Sequence, residues 1–218
     1  MNPKHYKNYL LKLLFTTLFF IVNTSIAQNF ERIETLAGFG ILEENSGIAV
    51  ADYDGDLDLD VFIVALAKDQ NDIEKTHSRL FRNNNDGSFT DVTEEAGLAN
   101  LYPLTGDEDV NPALEGYKYG VSWGDYDNDG HQDLLLTNEY KIQLFRNNGN
   151  GTFTDKTIDA GINQINDCWN TSATWFDFNK DGHLDLYIAE WGNCDYNPFY
   201  LNNGDGTFKS LTNLFSKS

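Results

Sequence analysis

The feature that most constrains the fold of this chain is a nine-residue acidic pattern that occurs three times. It reads DYDGDLDLD from Asp52, DYDNDGHQD from Asp125 and DFNKDGHLD from Asp177. Each copy follows one short apolar or aromatic segment and precedes another, which predicts a loop between two strands. Three equivalent loops require three equivalent structural units around them.

Two further elements repeat downstream of each loop. In the first, Asn and Gly supply the positive φ of a tight hairpin turn; its copies are FRNNNDGSF from Phe81, FRNNGNGTF from Phe145 and YLNNGDGTF from Tyr200. The second follows the hairpin; its copies are FTDVTEEAGL from Phe89, FTDKTIDAGI from Phe153 and FKSLTNLF from Phe208. Each repeat therefore contains four short predicted strands.

A four-stranded unit that recurs about every 50–70 residues is typical of β-propeller blades. We predict an all-β fold with three blades of the propeller type, at about residues 46–98, 117–162 and 171–215. A lone copy of the last element, at residues 30–39, predicts an orphan outer strand.

Propeller rings contain roughly four to eight blades, so three blades and one strand predict a partial or open propeller. Three alternatives follow from this. The missing blades belong to a longer chain, two chains assemble into six blades, or the protein is an open arc.

Residues 1–27 have the pattern of a secretory signal peptide. Three lysines precede the apolar run at residues 13–22, and Ser25-Ile26-Ala27 forms a small-x-small cleavage pattern. We expect a secreted protein whose repeat region is residues 28–218. An uncleaved N-terminal anchor is the alternative.

The formal net charge of −19 excludes nucleic acid as an expected partner, because a phosphate backbone attracts a basic surface. Alternating Asp and Asn side chains instead direct hard oxygens to one centre, and Ca²⁺ accepts roughly six to eight such oxygens. Mg²⁺ demands a stricter octahedron. An EF-hand is excluded because its twelfth position needs Glu, and here that position holds Ile63, Leu136 or Ile188.

These loops, with the Asn-Asn-Gly hairpin and the Phe-Thr-Asp element, resemble the FG-GAP/VCBS repeats found in integrin α propellers. The hairpin and the Phe-Thr-Asp element look more like the secreted VCBS branch, which includes cartilage acidic protein and ASPIC/UnbV-like proteins. The resemblance implies up to three structural Ca²⁺ ions, each held by side chains at positions 1, 3, 5 and 9 and by the carbonyl at position 7. The residues so implied are Asp52, Asp54, Asp56, Asp58 and Asp60 in the first loop, Asp125, Asp127, Asp129, His131 and Asp133 in the second, and Asp177, Asn179, Asp181, His183 and Asp185 in the third.

Two loops depart from this pattern. The first has Leu57 where Gly is usual, and the third has the neutral Asn179 at position 3. The second loop is therefore expected to be the best site. His131 and His183 contribute only carbonyls in this pattern, so their rings are expected to face solvent. No zinc-ligand spacing or catalytic motif is recognisable, and we expect no enzymatic activity.

The face opposite the acidic loops carries the long insertions at residues 66–78 and 99–119 and is the expected ligand face. Its candidate aromatic residues are Tyr102, Tyr117, Tyr119, Trp169, Trp191 and Tyr196. Cys168 and Cys194 lie on the same face, as a disulfide or as two free thiols. The predicted function is a secreted Ca²⁺-binding scaffold for adhesion or for an extracellular protein or glycan ligand. The alternative is a lectin-like, accessory or catalytic module of a polysaccharide-active enzyme.

Overall fold

The computed structural model describes residues 39, 45–65, 78–99, 118–138, 141–162, 168–192 and 197–211. These residues fall within one structural unit, residues 34–218. The predicted signal peptide and residues 30–38 of the predicted orphan strand lie outside the described part. None of the described residues belongs to a helix with the length and apolarity needed to cross a membrane.

The described residues form three four-stranded antiparallel sheets, and the strands of each sheet lie in chain order. Blade 1 contains β1 (Asn45–Ala51), β2 (Asp60–Ala65), β3 (Arg79–Asn83) and β4 (Phe89–Asp91). Blade 2 contains β5 (Lys118–Gly124), β6 (Asp133–Asn138), β7 (Ile142–Asn147) and β8 (Phe153–Asp155). Blade 3 contains β9 (Trp169–Phe176), β10 (Asp185–Trp191), β11 (Phe199–Asn202) and β12 (Phe208–Ser210). The predicted all-β class and four-stranded blades are confirmed, although β9 begins slightly before the predicted boundary at residue 171.

The same strand register holds each acidic loop. Ala51 pairs with Asp60, Gly124 with Asp133, and Phe176 with Asp185 at the loop ends of the first two strands. Because side chains alternate between the two faces of a strand, this shared register presents equivalent residues to equivalent neighbours in all three blades.

Two apolar cores lie between neighbouring blades. The first strands β1, β5 and β9 are neighbours in space. Side chains of blades 1 and 2 form the first core, among them Phe62, Leu80 and Leu134. Side chains of blades 2 and 3 form the second, among them Leu135 and Leu186. All six residues of β6 are buried, because blade 2 is covered on both faces.

In blades 1 and 2, the turn after the last strand attaches to the next blade. Phe153 N donates to Ala96 O at 3.0 Å, and Leu98 from the same turn is buried in the first core. Phe39 occupies the corresponding position in the predicted orphan element. Its ring lies 4.6 Å from that of Phe89, measured between centroids, so Phe39 contacts blade 1 much as Leu98 contacts blade 2.

Candidate metal centre

The first acid of each loop organises the backbone of that loop. In the second loop, the Asp125 carboxylate accepts hydrogen bonds from the N–H groups of Asp129 and Gly130, both at 2.9 Å. Asp52 and Asp177 accept from their own loops in the same way. These bonds fold each acidic loop around the carboxylate at position 1 and bring the later acids of the loop toward that carboxylate.

Position 6 is the point of the sharp bend. Gly130 has φ of 91° and Gly182 has φ of 89°, and Leu57 is held at φ of 74° in the first loop. A side chain disfavours this left-handed region, so the first loop is strained at position 6, where the other two loops have glycine.

The acid at position 9 closes each loop from below. Asp60, Asp133 and Asp185 are fully buried. The Asp133 carboxylate accepts from Tyr126 N at 3.1 Å and from Asn147 N at 2.7 Å, and so ties the loop to the end of β7. Position 9 therefore joins three strands of a blade at one carboxylate.

Burial opposes the charge at this position. It raises the pKa of Asp60 to about 6 and that of Asp133 to about 7, although backbone N–H donors pull both values down. The neighbouring carboxylates Asp127 and Asp129 raise the pKa of Asp133 further. A cation among these acids would favour their ionised forms, and this is the chemistry of a metal site.

Two loops bring carboxylate oxygens together closely enough for a metal ion. One oxygen from each of Asp125, Asp127 and Asp133 lies within 4.8 Å of the others. Asp52, Asp54 and Asp56 meet the same distance in the first loop. Asp127 Oδ1 is also buried and has no hydrogen-bond partner, and an acceptor in that condition is costly. The donors present fit a hard cation such as Ca²⁺, most completely in the second loop.

Arg146 supplies a positive charge beside the second loop. Its Nε donates to Asp127 Oδ2 at 2.6 Å, and Nη2 donates to Asp129 Oδ2 at 2.7 Å. The guanidinium contacts the Oδ2 atom of each carboxylate, whereas Asp127 Oδ1 is buried without a hydrogen-bond partner. Leu201 stands at the equivalent position of blade 3, so the third loop lacks this cation.

The third loop fits a cation less well. Asn179 Oδ1 accepts from Asp181 N at 3.0 Å, and Asn179 Nδ2 donates to Asp181 Oδ2 at 2.7 Å. The N–H of His183 and the Asn179 amide together lower the pKa of Asp181. These bonds satisfy positions 3 and 5 within the loop, whereas the second loop leaves a carboxylate oxygen unsatisfied.

The rings of the two loop histidines were expected to face solvent, but the structure shows that they are only partly exposed. Both are half-buried against the hairpin of their own blade. A Cβ on Gly149 would lie 2.5 Å from His131 Nε2, and one on Gly204 would lie 2.7 Å from His183 Nε2. His183 Nδ1 also lies 2.9 Å from Asn128 Nδ2, which joins the second loop to the third. The pairing of His with Gly in blades 2 and 3 was a signal for this contact.

Two buried asparagines join neighbouring blades, and the sequence did not predict this role for them. Asn147 Nδ2 donates to Tyr53 O at 2.7 Å and to Gln132 O at 3.1 Å. Asn202 Nδ2 donates to Tyr126 O at 2.8 Å. Each is the first Asn of the repeated Asn-Asn pair, so the pair links the acidic loop of one blade to the hairpin of the next.

A cleft of about 390 Å³ lies between the first acidic loop and the hairpin of blade 2. It was not predicted, and it opens on the face of the acidic loops. Its polar lining comes from both blades and includes Asp54, Asp56, Arg82, Glu95 and Asn150. Charges of both signs lie along it, which suits a polar ligand rather than an apolar one.

The predicted ligand face is described in part. Trp169 and Trp191 pair across β9 and β10, and their ring centroids lie 4.5 Å apart. Trp191 is 63 % exposed. The side chains outside the described part are those of Tyr102, Tyr117, Tyr119 and Tyr196. Cys168 is bonded in a disulfide, and Cys194, the other of the chain's two cysteines, also lies outside the described part.

Residues 125–188 match the family model of the FG-GAP-like repeat. The chain contains an FG-GAP-like repeat. The matched stretch begins at the first acid of the second loop and runs through the third loop into β10. The FG-GAP-like match supports the predicted family and leaves the more specific likeness to the VCBS branch as a prediction.

A comparison with curated proteins finds no match. Among solved structures, the chain is similar to an Agrocybe aegerita lectin whose described property is specific recognition of non-reducing terminal N-acetylglucosamine. The two share 22 % identity with a TM-score of 0.39, and the match covers 78 % of this chain and 39 % of the lectin chain. Recognition of that sugar is a property of the lectin.

Proposed function

We propose that this protein is a secreted repeat scaffold whose acidic loops bind Ca²⁺ for structural purposes and whose blades present a ligand-binding surface. The observation that carries the calcium role is the geometry of the second loop. Three carboxylate oxygens lie within 4.8 Å of one another there, and Asp127 Oδ1 is buried without a hydrogen-bond partner. An ion at this point satisfies that oxygen and offsets the repulsion among the acids.

Calcium that binds the folded state alone stabilises it by mass action. We expect added Ca²⁺ to raise the melting temperature and excess chelator to lower it, with Mg²⁺ less effective at equal concentration. Asp127→Ala should remove most of the effect. Asp159→Asn is the matched control, because Asp159 is an exposed acid outside the loops. Calorimetric titration measures Ca²⁺ binding, and thermal melts measure the melting temperature of each variant. A melting temperature that neither Ca²⁺ nor chelator changes refutes the calcium role.

Export is proposed from the basic and apolar pattern of residues 1–27. Expression of the full chain in a secreting host, followed by intact-mass analysis of the medium, tests it. Cleavage before Gln28 is expected. Protein that keeps residues 1–27 at the membrane supports the anchor alternative.

A lectin-like role is the second candidate, and the paired tryptophans favour it. Trp191 is 63 % exposed and lies against Trp169 at the end of blade 3 away from the acidic loops. Exposed aromatic rings often mark binding surfaces. Glycan-array binding that Trp191→Ala abolishes supports this role, and Ile158→Ala serves as an exposed apolar control. Turnover of a polysaccharide would instead show a catalytic module.

A further inference from the structure

The two blade interfaces among the described residues are built in the same way. Tyr53 of the first loop stacks on Phe153 of blade 2 with ring centroids 5.9 Å apart. Tyr126 of the second loop lies 5.8 Å from Phe208 of blade 3. In each case the tyrosine carbonyl also accepts from an asparagine of the next blade. Each blade thus presents a loop aromatic and a carbonyl, and its successor presents a phenylalanine and an amide.

Side-chain size is matched across these interfaces as well. Gly124 precedes the second loop, and a Cβ there would lie 2.7 Å from the Trp175 ring of blade 3. Ala51 is the equivalent small residue of blade 1, and Trp123 is the equivalent large residue of blade 2. A small residue before the loop therefore accommodates a tryptophan in the first strand of the next blade.

The outer face of blade 3 carries the residues that correspond to the loop aromatic and the small residue before the loop at the internal interfaces. Phe178 occupies the position of Tyr53 and Tyr126, but it is 55 % exposed while they are buried. The residue before this loop is Phe176, which is 37 % exposed and large where blades 1 and 2 have Ala or Gly. Phe176 would exclude a tryptophan at the facing position.

The outer face of blade 1 carries the residues that correspond to the tryptophan, the phenylalanine and the asparagine on the other half of the internal interfaces. Val50 occupies the position of Trp123 and Trp175 and is 55 % exposed. Phe89 occupies the position of Phe153 and is half-buried, with Phe39 already in the place that Leu98 takes at the internal interface. Among the described residues, Asn83 Nδ2 donates only within its own blade, to Leu59 O at 3.2 Å, and makes no bond to a preceding blade.

The two outer faces are therefore complementary in a way that differs from the internal interfaces. Inside the chain a small residue faces tryptophan, whereas at the ends the large Phe176 would face the small Val50. If these two outer faces met, Phe178 would lie on Phe89, and the Phe178 carbonyl would lie at the Asn83 amide. A further blade with a tryptophan at the position of Val50 would not fit Phe176.

We propose that the outer face of blade 3 docks on the outer face of blade 1 in a second copy of this chain. Such a contact is heterologous, and two copies that exchange both faces form a closed assembly of six blades. It also covers the exposed apolar side chains Ile48, Val50, Phe176 and Phe178. The proposal depends on the blade interfaces and not on the calcium role.

Sedimentation equilibrium and light scattering of the purified chain, at low and high micromolar concentration, test the proposal. The wild-type chain should form dimers. Val50→Trp should raise the dissociation constant by about tenfold or more, because the larger ring overpacks against Phe176. The double variant Val50→Trp with Phe176→Gly should restore association, because it recreates the internal pairing of Trp175 with Gly124.

Ile158→Trp is the matched control, since Ile158 is 71 % exposed and belongs to the turn after β8 of blade 2, not to blade 1 or blade 3. It should leave the dissociation constant unchanged, and circular dichroism should show all variants folded. A wild-type chain that remains monomeric overturns the proposal, as does a dimer that Val50→Trp leaves intact. Loss of association that Phe176→Gly fails to restore contradicts the proposed pairing. Repeating the measurement with Ca²⁺ and with chelator separates this outcome from the calcium role.

Discussion

Leu57 holds a left-handed backbone conformation that glycine holds in the other two loops. Its φ is 74° and its side chain is 89 % exposed, so little apolar burial offsets the strain. A non-glycine residue in this region costs roughly 1–2 kcal/mol, and glycine loses roughly 0.5–1 kcal/mol in chain entropy. We therefore expect Leu57→Gly to raise the free energy of unfolding by about 0.5–1 kcal/mol, measured by denaturant titration. Leu59→Gly, in the same loop without positive φ, should lower it; equal losses in both variants contradict the strain argument.

Gly149 is required both by its backbone and by its neighbour. Its φ is 70°, and a Cβ would lie 2.5 Å from His131 Nε2. Gly151 has φ of 82° with nothing within 4 Å of a Cβ, so it has the backbone requirement alone. We expect Gly149→Ala to destabilise the protein more than Gly151→Ala does, by about 0.5–1 kcal/mol. The excess should vanish in the His131→Ala background, and a double-mutant cycle in denaturant measures it.

At this scale the spacing of acids was enough to predict the loops. The sequence also showed that Leu57 stands where the other two loops have a bend glycine, and Leu57 has the positive φ of that bend. This could be predicted because φ depends on steric contacts within the loop itself. The packing of His131 on Gly149 was not predicted, because it joins two turns that the sequence separates by a whole hairpin. The signal existed in the chain itself, since blade 1 has Asp58 and Asn85 where the other blades have His and Gly.

Strands followed from the repeated apolar pattern, and contacts between blades did not. The alternation of apolar residues sets which strands form, whereas Asn147 contacts Tyr53 from 94 residues away in the sequence. Only the fold shows that the repeated Asn-Asn pair spans two blades. The repeat then places an equivalent contact at the second interface. Asn202 donates to the Tyr126 carbonyl of blade 2, as Asn147 donates to the Tyr53 carbonyl of blade 1.

Asn147 should be the most sensitive polar residue of the first interface. It is fully buried, and its amide serves the carbonyls of Tyr53 and Gln132. Asn147→Ala leaves two carbonyls without this donor, and we expect a loss of about 2–3 kcal/mol in the free energy of unfolding. Asn83→Ala is the matched control, because Asn83 is half-buried and makes no bond to a preceding blade among the described residues. Denaturation at low protein concentration should show a clearly smaller loss for it, and equal losses refute the interblade role.

For the whole molecule, stability should be distributed according to which blades have neighbours. A repeat array gains its stability from each unit and from the interfaces between units, and among the described residues only blade 2 has two such interfaces. All six residues of β6 are buried, whereas the outer face of blade 1 exposes Ile48 and Val50 and that of blade 3 exposes Phe176. We therefore expect the end blades to open at a lower free-energy cost than the middle blade.

Hydrogen exchange of the folded chain checks this distribution at matched positions. At low concentration, amides of β6 should exchange more slowly than those of its counterparts β2 and β10, because opening β6 disrupts both cores. As the concentration rises, docking of the end faces should slow exchange in β2 and β10 and reduce the difference. In Val50→Trp the difference should persist to correspondingly higher concentrations, since the end faces associate more weakly. Uniform protection of β2, β6 and β10 at low concentration would instead show that the three blades open as one unit and that their unequal coverage has no energetic consequence.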